Sequence, residues 1–136
     1  MEVTYLVHAT EDQDKIQNAI GRILGVTPMP EVESLEGHFG NKILRGRFHV
    51  TGDSAWNAFR LLTSKMGPEL VTEVAENAAQ YLDEHSSLFL RFDKQALVSG
   101  SFVLGPHDPV RFKIKPRAYL TKGAGPSYFR KLLEGA

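Results

Sequence analysis

The first hydrophobic pattern in the chain is an alternation. Val3-Thr4-Tyr5-Leu6-Val7 is rich in β-branched and aromatic residues and predicts a strand. The period then changes to that of a helix, with Ile16, Ala19, Ile20, Ile23 and Leu24 on one face. Thr10 is the expected N-cap, with Gln13 completing a capping box. Glu11, Asp12 and Asp14 suit the positive end of the helix dipole, and Gly25 stops the helix. After a connection holding Pro28 and Pro30, Val32 to Glu36 predicts a short exposed strand, and Ile43 to Val50 a longer one. In the longer strand Leu44, Phe48 and Val50 point one way, and Arg45, Arg47 and His49 the other. The turn between them, Gly37-His38-Phe39-Gly40-Asn41, makes the pair a hairpin.

Asp53 or Ser54 is the expected cap of a second helix that turns Trp56, Phe59, Leu62 and Met66 inward. Gly67-Pro68 breaks it and opens a third, with Leu70, Val71, Val74, Ala78 and Leu82 as its apolar stripe. Glu69, Glu73, Glu76, Asp83 and Glu84 make the opposite side of that helix acidic. Three strand-like runs follow, Leu88 to Phe92, Ser99 to Leu104 and Val110 to Ile114, before a closing helix from about Ser127 to Leu133. The order β-α-β-β-α-α-β-β-β-α predicts one α+β domain over residues 1–136. Its sheet is largely antiparallel, covered by helices on one face and open on the other.

Composition narrows the function classes. Hydrophobic residues make up 42% of 136, enough for a folded core. No apolar run approaches the roughly 18 residues of a membrane span, and the first residues have neither the basic nor the apolar region of a signal peptide. Cysteine is absent, which excludes disulfides and thiolate chemistry and agrees with a cytoplasmic setting. The net charge is zero, but it is unevenly spread. Residues 1–85 hold seven Lys/Arg against thirteen Asp/Glu, and residues 86–136 hold nine against three. Such asymmetry marks either a charged binding face or a surface that is merely mixed.

The basic excess is densest at Arg111-Phe112-Lys113-Ile114-Lys115-Pro116-Arg117. Side chains alternate across a strand, so Arg111, Lys113, Lys115 and Arg117 share one face on the order of 6.6 Å apart, comparable to phosphates along an extended single strand. Arg45 with Arg47, and Arg91 with Lys94, are two further pairs, and Phe89 points the same way as Arg91. Charged residues on edge strands also serve simply to discourage aggregation. His38 and Phe39, between two glycines, are a second candidate contact, since both rings stack on bases; Phe39 folded onto the core is the alternative. The five histidines lack metal-ligand spacing, and neither a phosphate-cradling glycine loop nor a nucleophile motif is present, so no metal, no cofactor and no catalysis are expected.

Three segments resemble one known group. His8-Ala9-Thr10-Glu11-Asp12, Glu36-Gly37-His38-Phe39-Gly40-Asn41 and Leu90-Arg91-Phe92-Asp93-Lys94-Gln95-Ala96 are similar, in order, to signatures of archaeal proteins described as predicted exosome-associated RNA-binding proteins. The group more often has a second histidine where Phe39 stands. The resemblance implies a fold like that of ribosomal protein L-five, RNA as partner, and a role beside the exosome or another RNA-processing assembly. It brings no catalytic residues. Asp93-Lys94-Gln95-Ala96 is then either a binding loop or a one-turn cap in which Asp93 holds backbone N–H groups. A protein-docking module and a small nuclease are the competing readings.

Overall fold

A computed structural model describes residues 1–37 and 39–135. Five strands form one antiparallel sheet: β1 (Glu2–Val7), β2 (Glu31–Glu36), β3 (Lys42–His49), β4 (Leu88–Asp93) and β5 (Pro109–Ile114), in the order β2-β3-β1-β5-β4. The α-helices are α1 (Gln13–Leu24), α2 (Gly52–Met66), α3 (Pro68–Glu76), the short α4 (Lys94–Val98) and α5 (Gly125–Glu134). Strand alternation divides the sheet cleanly. Val3, Tyr5, Val7, Phe48, Leu88, Leu90, Phe92, Val110, Phe112 and Ile114 pack with the apolar sides of the helices into one core. The α+β architecture with helices on one face is therefore as the periodicity predicts.

Cross-strand register explains one glycine. Gly46 lies opposite Tyr5, and a Cβ there would collide with the phenol ring. The missing side chain is the space the tyrosine occupies.

Several boundaries differ from expectation. Helix α1 begins after Asp12, not Thr10: the Asp12 carboxylate accepts hydrogen bonds from the backbone N–H groups of Asp14 (2.9 Å) and Lys15 (3.3 Å). It ends at Gly25 in the left-handed conformation (φ 66°), as expected. The residue before α2 is Thr51, not Asp53 or Ser54, and its side chain makes no capping bond. Helix α3 stops eight residues early. Asn77 leaves helical geometry and turns its amide onto the Glu73 carbonyl (2.9 Å), and a 3-10 turn (Ala78–Tyr81) replaces the last turns. The expected strand Ser99 to Leu104 is absent. Asp93 instead caps a helix by accepting from the Ala96 N–H (2.9 Å). The chain then turns at Gly100 (φ 91°) and returns to β4 through a Phe92–Leu104 bridge and an edge-on contact of Phe102 with Phe92.

Candidate functional site

The open face is read most simply in rows across the sheet. One row runs Arg91 (β4), Arg111 (β5), Thr4 (β1), Arg47 (β3), Glu31 (β2). The next runs Phe89, Lys113, Glu2, His49. Antiparallel pairing thus sets Arg91 directly beside Arg111, a like-charge juxtaposition that costs stability. Phe89 offsets part of it. Its ring centroid lies 5.1 Å from the Arg91 guanidinium, 5.3 Å from that of Arg111 and 5.5 Å from the Lys113 ammonium. The carboxylate that joins this group is Glu2, 3.2 Å from Arg111 and 3.0 Å from His49. Burial opposes ionisation of Glu2, but the His49 hydrogen bond and the charges of His49, Arg111 and Lys113 outweigh it and hold its carboxyl below the ordinary range.

The other predicted cations separate into three environments. Arg45 and Arg47 occupy the same face, but the β2 register brings each a carboxylate, Glu33 for Arg45 and Glu31 at 3.6 Å for Arg47. Lys115 and Arg117 lie past the end of β5, so Arg117 does not continue the sheet face as alternation predicted. It bends to α2, where its guanidinium sits 5.5 Å from the Trp56 ring and 3.9 Å from Asp53. Pro116, which cannot donate to a ladder, helps end the strand. Phe39 is 86% exposed at the β2–β3 turn and is not folded onto the core. His38 lies outside the described residues.

Lys94 is the clearest correction. It is 1% exposed and cannot meet a phosphate. Its ammonium donates to Glu11 (2.7 Å), Asp108 (2.8 Å) and the Leu6 carbonyl (2.8 Å), which uses all three N–H donors. Gln95 donates to the other Glu11 oxygen, and His8 contacts Asp108 at 3.2 Å. Burial raises the Asp108 pKa, but the Lys94 and His8 contacts prevail and the net shift is downward. His8, Glu11 and Asp108 offer atoms within 4.8 Å of one another, a spacing a metal could use, yet the lysine ammonium already holds two of the three carboxylate and imidazole groups. This clamp ties the end of β1 and the turn before α1 to α4 and the loop before β5. The first and third family-like segments meet here. The Asp93-to-Ala96 segment is accordingly a helix cap with a buried clamp residue. Glu11 and Lys94 both showed in the sequence, but their pairing over 83 positions did not.

Two grooves adjoin the site. One, about 890 Å³, starts at Lys113 and is lined by Lys115, Arg117, Lys122, His85 and the fully exposed Tyr119. The other, about 340 Å³, lies between α2, α5 and the end of β5, with Trp56, Phe59 and Tyr128 in its wall and Lys115 and Arg117 at its edge.

The family described as RNA binding matches residues 1–116. An RNA-binding protein of Pyrococcus abyssi is 30% identical, over 99% of this chain and 93% of that protein. Solved structures of DUF54 proteins from Methanothermobacter thermautotrophicus (26% identity, TM-score 0.74, 98% and 93% coverage) and Sulfolobus solfataricus (26%, 0.72, 98% and 96%) share the fold. The chain belongs to this RNA-binding family.

Proposed function

We propose that this protein binds RNA on the β4–β5 half of its open sheet face, with Arg91, Arg111 and Lys113 taking phosphates and Phe89 presenting a ring to a base. The observation that carries the reading is the placement of three cations around one aromatic ring, two of them forced side by side by strand register. A polyanion relieves that repulsion, and ring with guanidinium is the combination that holds single-stranded nucleic acid with little sequence preference. Lys115 and Arg117 extend the cationic track beyond the strand. Arg45 and Arg47 rank behind them because two carboxylates, Glu33 and Glu31, answer those two cations, whereas among the described residues Glu2 is the one carboxylate paired within the Arg91, Arg111 and Lys113 group. His38 with Phe39 is a separate candidate contact at the hairpin tip. The reading includes no catalytic step and no resident cofactor. A place beside the exosome or another RNA-processing assembly, and a likeness to ribosomal protein L-five, are supported by the three family-like segments alone.

Titration of labelled single-stranded RNA at several salt concentrations tests it. Five phosphate contacts from Arg91, Arg111, Lys113, Lys115 and Arg117 give a log–log slope of about −3.5 at about −0.7 each. Binding whose affinity does not change with salt, or no binding at low salt, would remove this reading.

A further inference from the structure

We infer that the 340 Å³ cavity beside Trp56 is a pocket for one unpaired nucleotide of the RNA, with its base against the indole and its phosphate at Lys115 and Arg117. The inference rests on the RNA-binding reading above and adds to it a second site, on a different part of the molecule, and a preference for single strands.

Three observations converge. The first is chemistry. The cavity wall combines Trp56, Phe59 and Tyr128 with apolar atoms of Ala55, Ile114 and Leu132, and its volume lies within the roughly 300–1,000 Å³ of small-molecule sites. Trp56 is half-buried, so part of its ring remains open to the cavity. A planar, apolar-faced ligand suits that wall, and a cationic rim selects one with a negative charge attached.

The second is the state of Arg117. Its guanidinium rests over the indole at 5.5 Å, and its carboxylate neighbour is a fully exposed Asp53 at 3.9 Å. Such a contact is weak in water, so the arginine moves from Asp53 to a phosphate at small cost and yields to the base the indole face it covers.

The third is continuity. Lys115 and Arg117 line both this cavity and the larger basic groove, and that groove begins at Lys113, one of the cations around Phe89. A strand that leaves Phe89 therefore passes Lys113 and Lys115 before it reaches Trp56. A duplex cannot follow it to the end, because its bases are already stacked and paired; a base must be splayed out to enter.

Trp56 is the chain's single tryptophan, so its emission reports on this pocket alone. The test titrates an oligoadenylate of about eight nucleotides, and a blunt RNA duplex of equal length, into the full chain. Each titration is followed by anisotropy of the labelled RNA and by Trp56 emission. The expected result is quenching of Trp56 with the same midpoint as the anisotropy rise for the single strand, and no quenching for the duplex. Trp56→Ala should weaken single-strand binding at least about fivefold, and Arg117→Ala, a surface change that leaves the fold intact, should weaken it selectively as well. Single-strand binding with unchanged Trp56 emission and parental affinity in Arg117→Ala would overturn the pocket and remove Arg117 from the phosphate track, leaving the sheet-face reading on Arg91, Arg111 and Lys113. Equal quenching by the duplex would overturn the preference for an unpaired nucleotide. Absence of binding to either RNA removes the sheet-face reading itself.

Discussion

The two halves of the open sheet face carry the same sequence pattern and reach opposite electrostatic outcomes. On β3, Arg45 and Arg47 alternate with core-facing residues, as Arg111 and Lys113 do on β5. The neighbour decides the difference. Strand β2 places Glu33 and Glu31 opposite the first pair and cancels it, whereas β4 places Phe89 and Arg91 opposite the second and concentrates it. A basic strand therefore keeps free charge where its neighbours bring fewer carboxylates than cations, as around β5, where Glu2 of β1 stands against Arg91, Arg111 and Lys113. Lys94 is the limiting case of neutralisation, a cation withdrawn from solvent altogether.

The largest expected effect comes from that limit. Lys94→Met leaves Glu11 and Asp108 facing each other without their cation, and loss of one partner of a buried ion pair costs about 3–5 kcal/mol. Chemical denaturation should record that loss, while RNA affinity of the folded fraction stays at the parental value because the residue lies on neither half of the face. The clamp also has an acid signature. Asp108 titrates below its ordinary value of 3.8, so its contribution is complete above that pH and disappears as pH falls through the lower folded value. A Lys94→Met protein as stable as the parent, or one that loses RNA binding while folded, would return Lys94 to the binding surface.

What the sequence made legible follows from the range of each interaction. Alternation in β1, β3 and β5 and the 3.6-residue period in α1, α2 and α5 are local, and those elements appear where the pattern puts them. The missing strand at Ser99 to Leu104 and the shortened α3 were hidden because single polar residues, Asp93 and Asn77, redirect the backbone against the apolar pattern around them. The site was only partly readable. The direction of Arg91, Arg111 and Lys113 came from alternation, but strand order decides which cations acquire carboxylates, and pairings such as Arg45 with Glu33 or Arg111 with Glu2 become visible only in the assembled sheet.

The two halves can be set against each other directly. Replacing Arg91 and Lys113 by Ala should lower RNA affinity and reduce the salt slope by about 1.4, at about 0.7 for each lost phosphate contact on a single strand. Replacing Arg45 and Arg47 by Ala removes the same formal charge but should reduce the slope by less than about 0.7, since those arginines spend their charge on Glu33 and Glu31. Both doubles touch exposed or half-exposed positions and should fold normally, within about 0.5 kcal/mol per site. Equal slopes for the two doubles would mean that the whole face binds as one and that the β2 carboxylates give way to RNA.

The smallest effect is also the most specific, because it should increase affinity. Glu2 is the carboxylate beside the Phe89 group, one strand from β5 and thus about 5 Å from Lys113 across the ladder. Neutralising it as Glu2→Gln frees Arg111 from a 3.2 Å ion pair and removes a negative charge from the path of the phosphates. At that distance in water the interaction is worth somewhat under 1 kcal/mol, so binding should tighten about twofold to fourfold at low salt, and the gain should fade as salt screens it. Glu31→Gln is the matching change on the far half. It lies three strands from β5, about 14 Å away, beyond the roughly 10 Å screening length at 0.1 M salt, and should alter affinity little. The pair separates location from net charge, because both variants gain one unit of positive charge. If Glu31→Gln tightens RNA binding as much as Glu2→Gln, affinity follows the overall charge of the protein and the distinction between the halves fails. If only Glu2→Gln does so, the phosphates lie beside Arg91, Arg111 and Lys113.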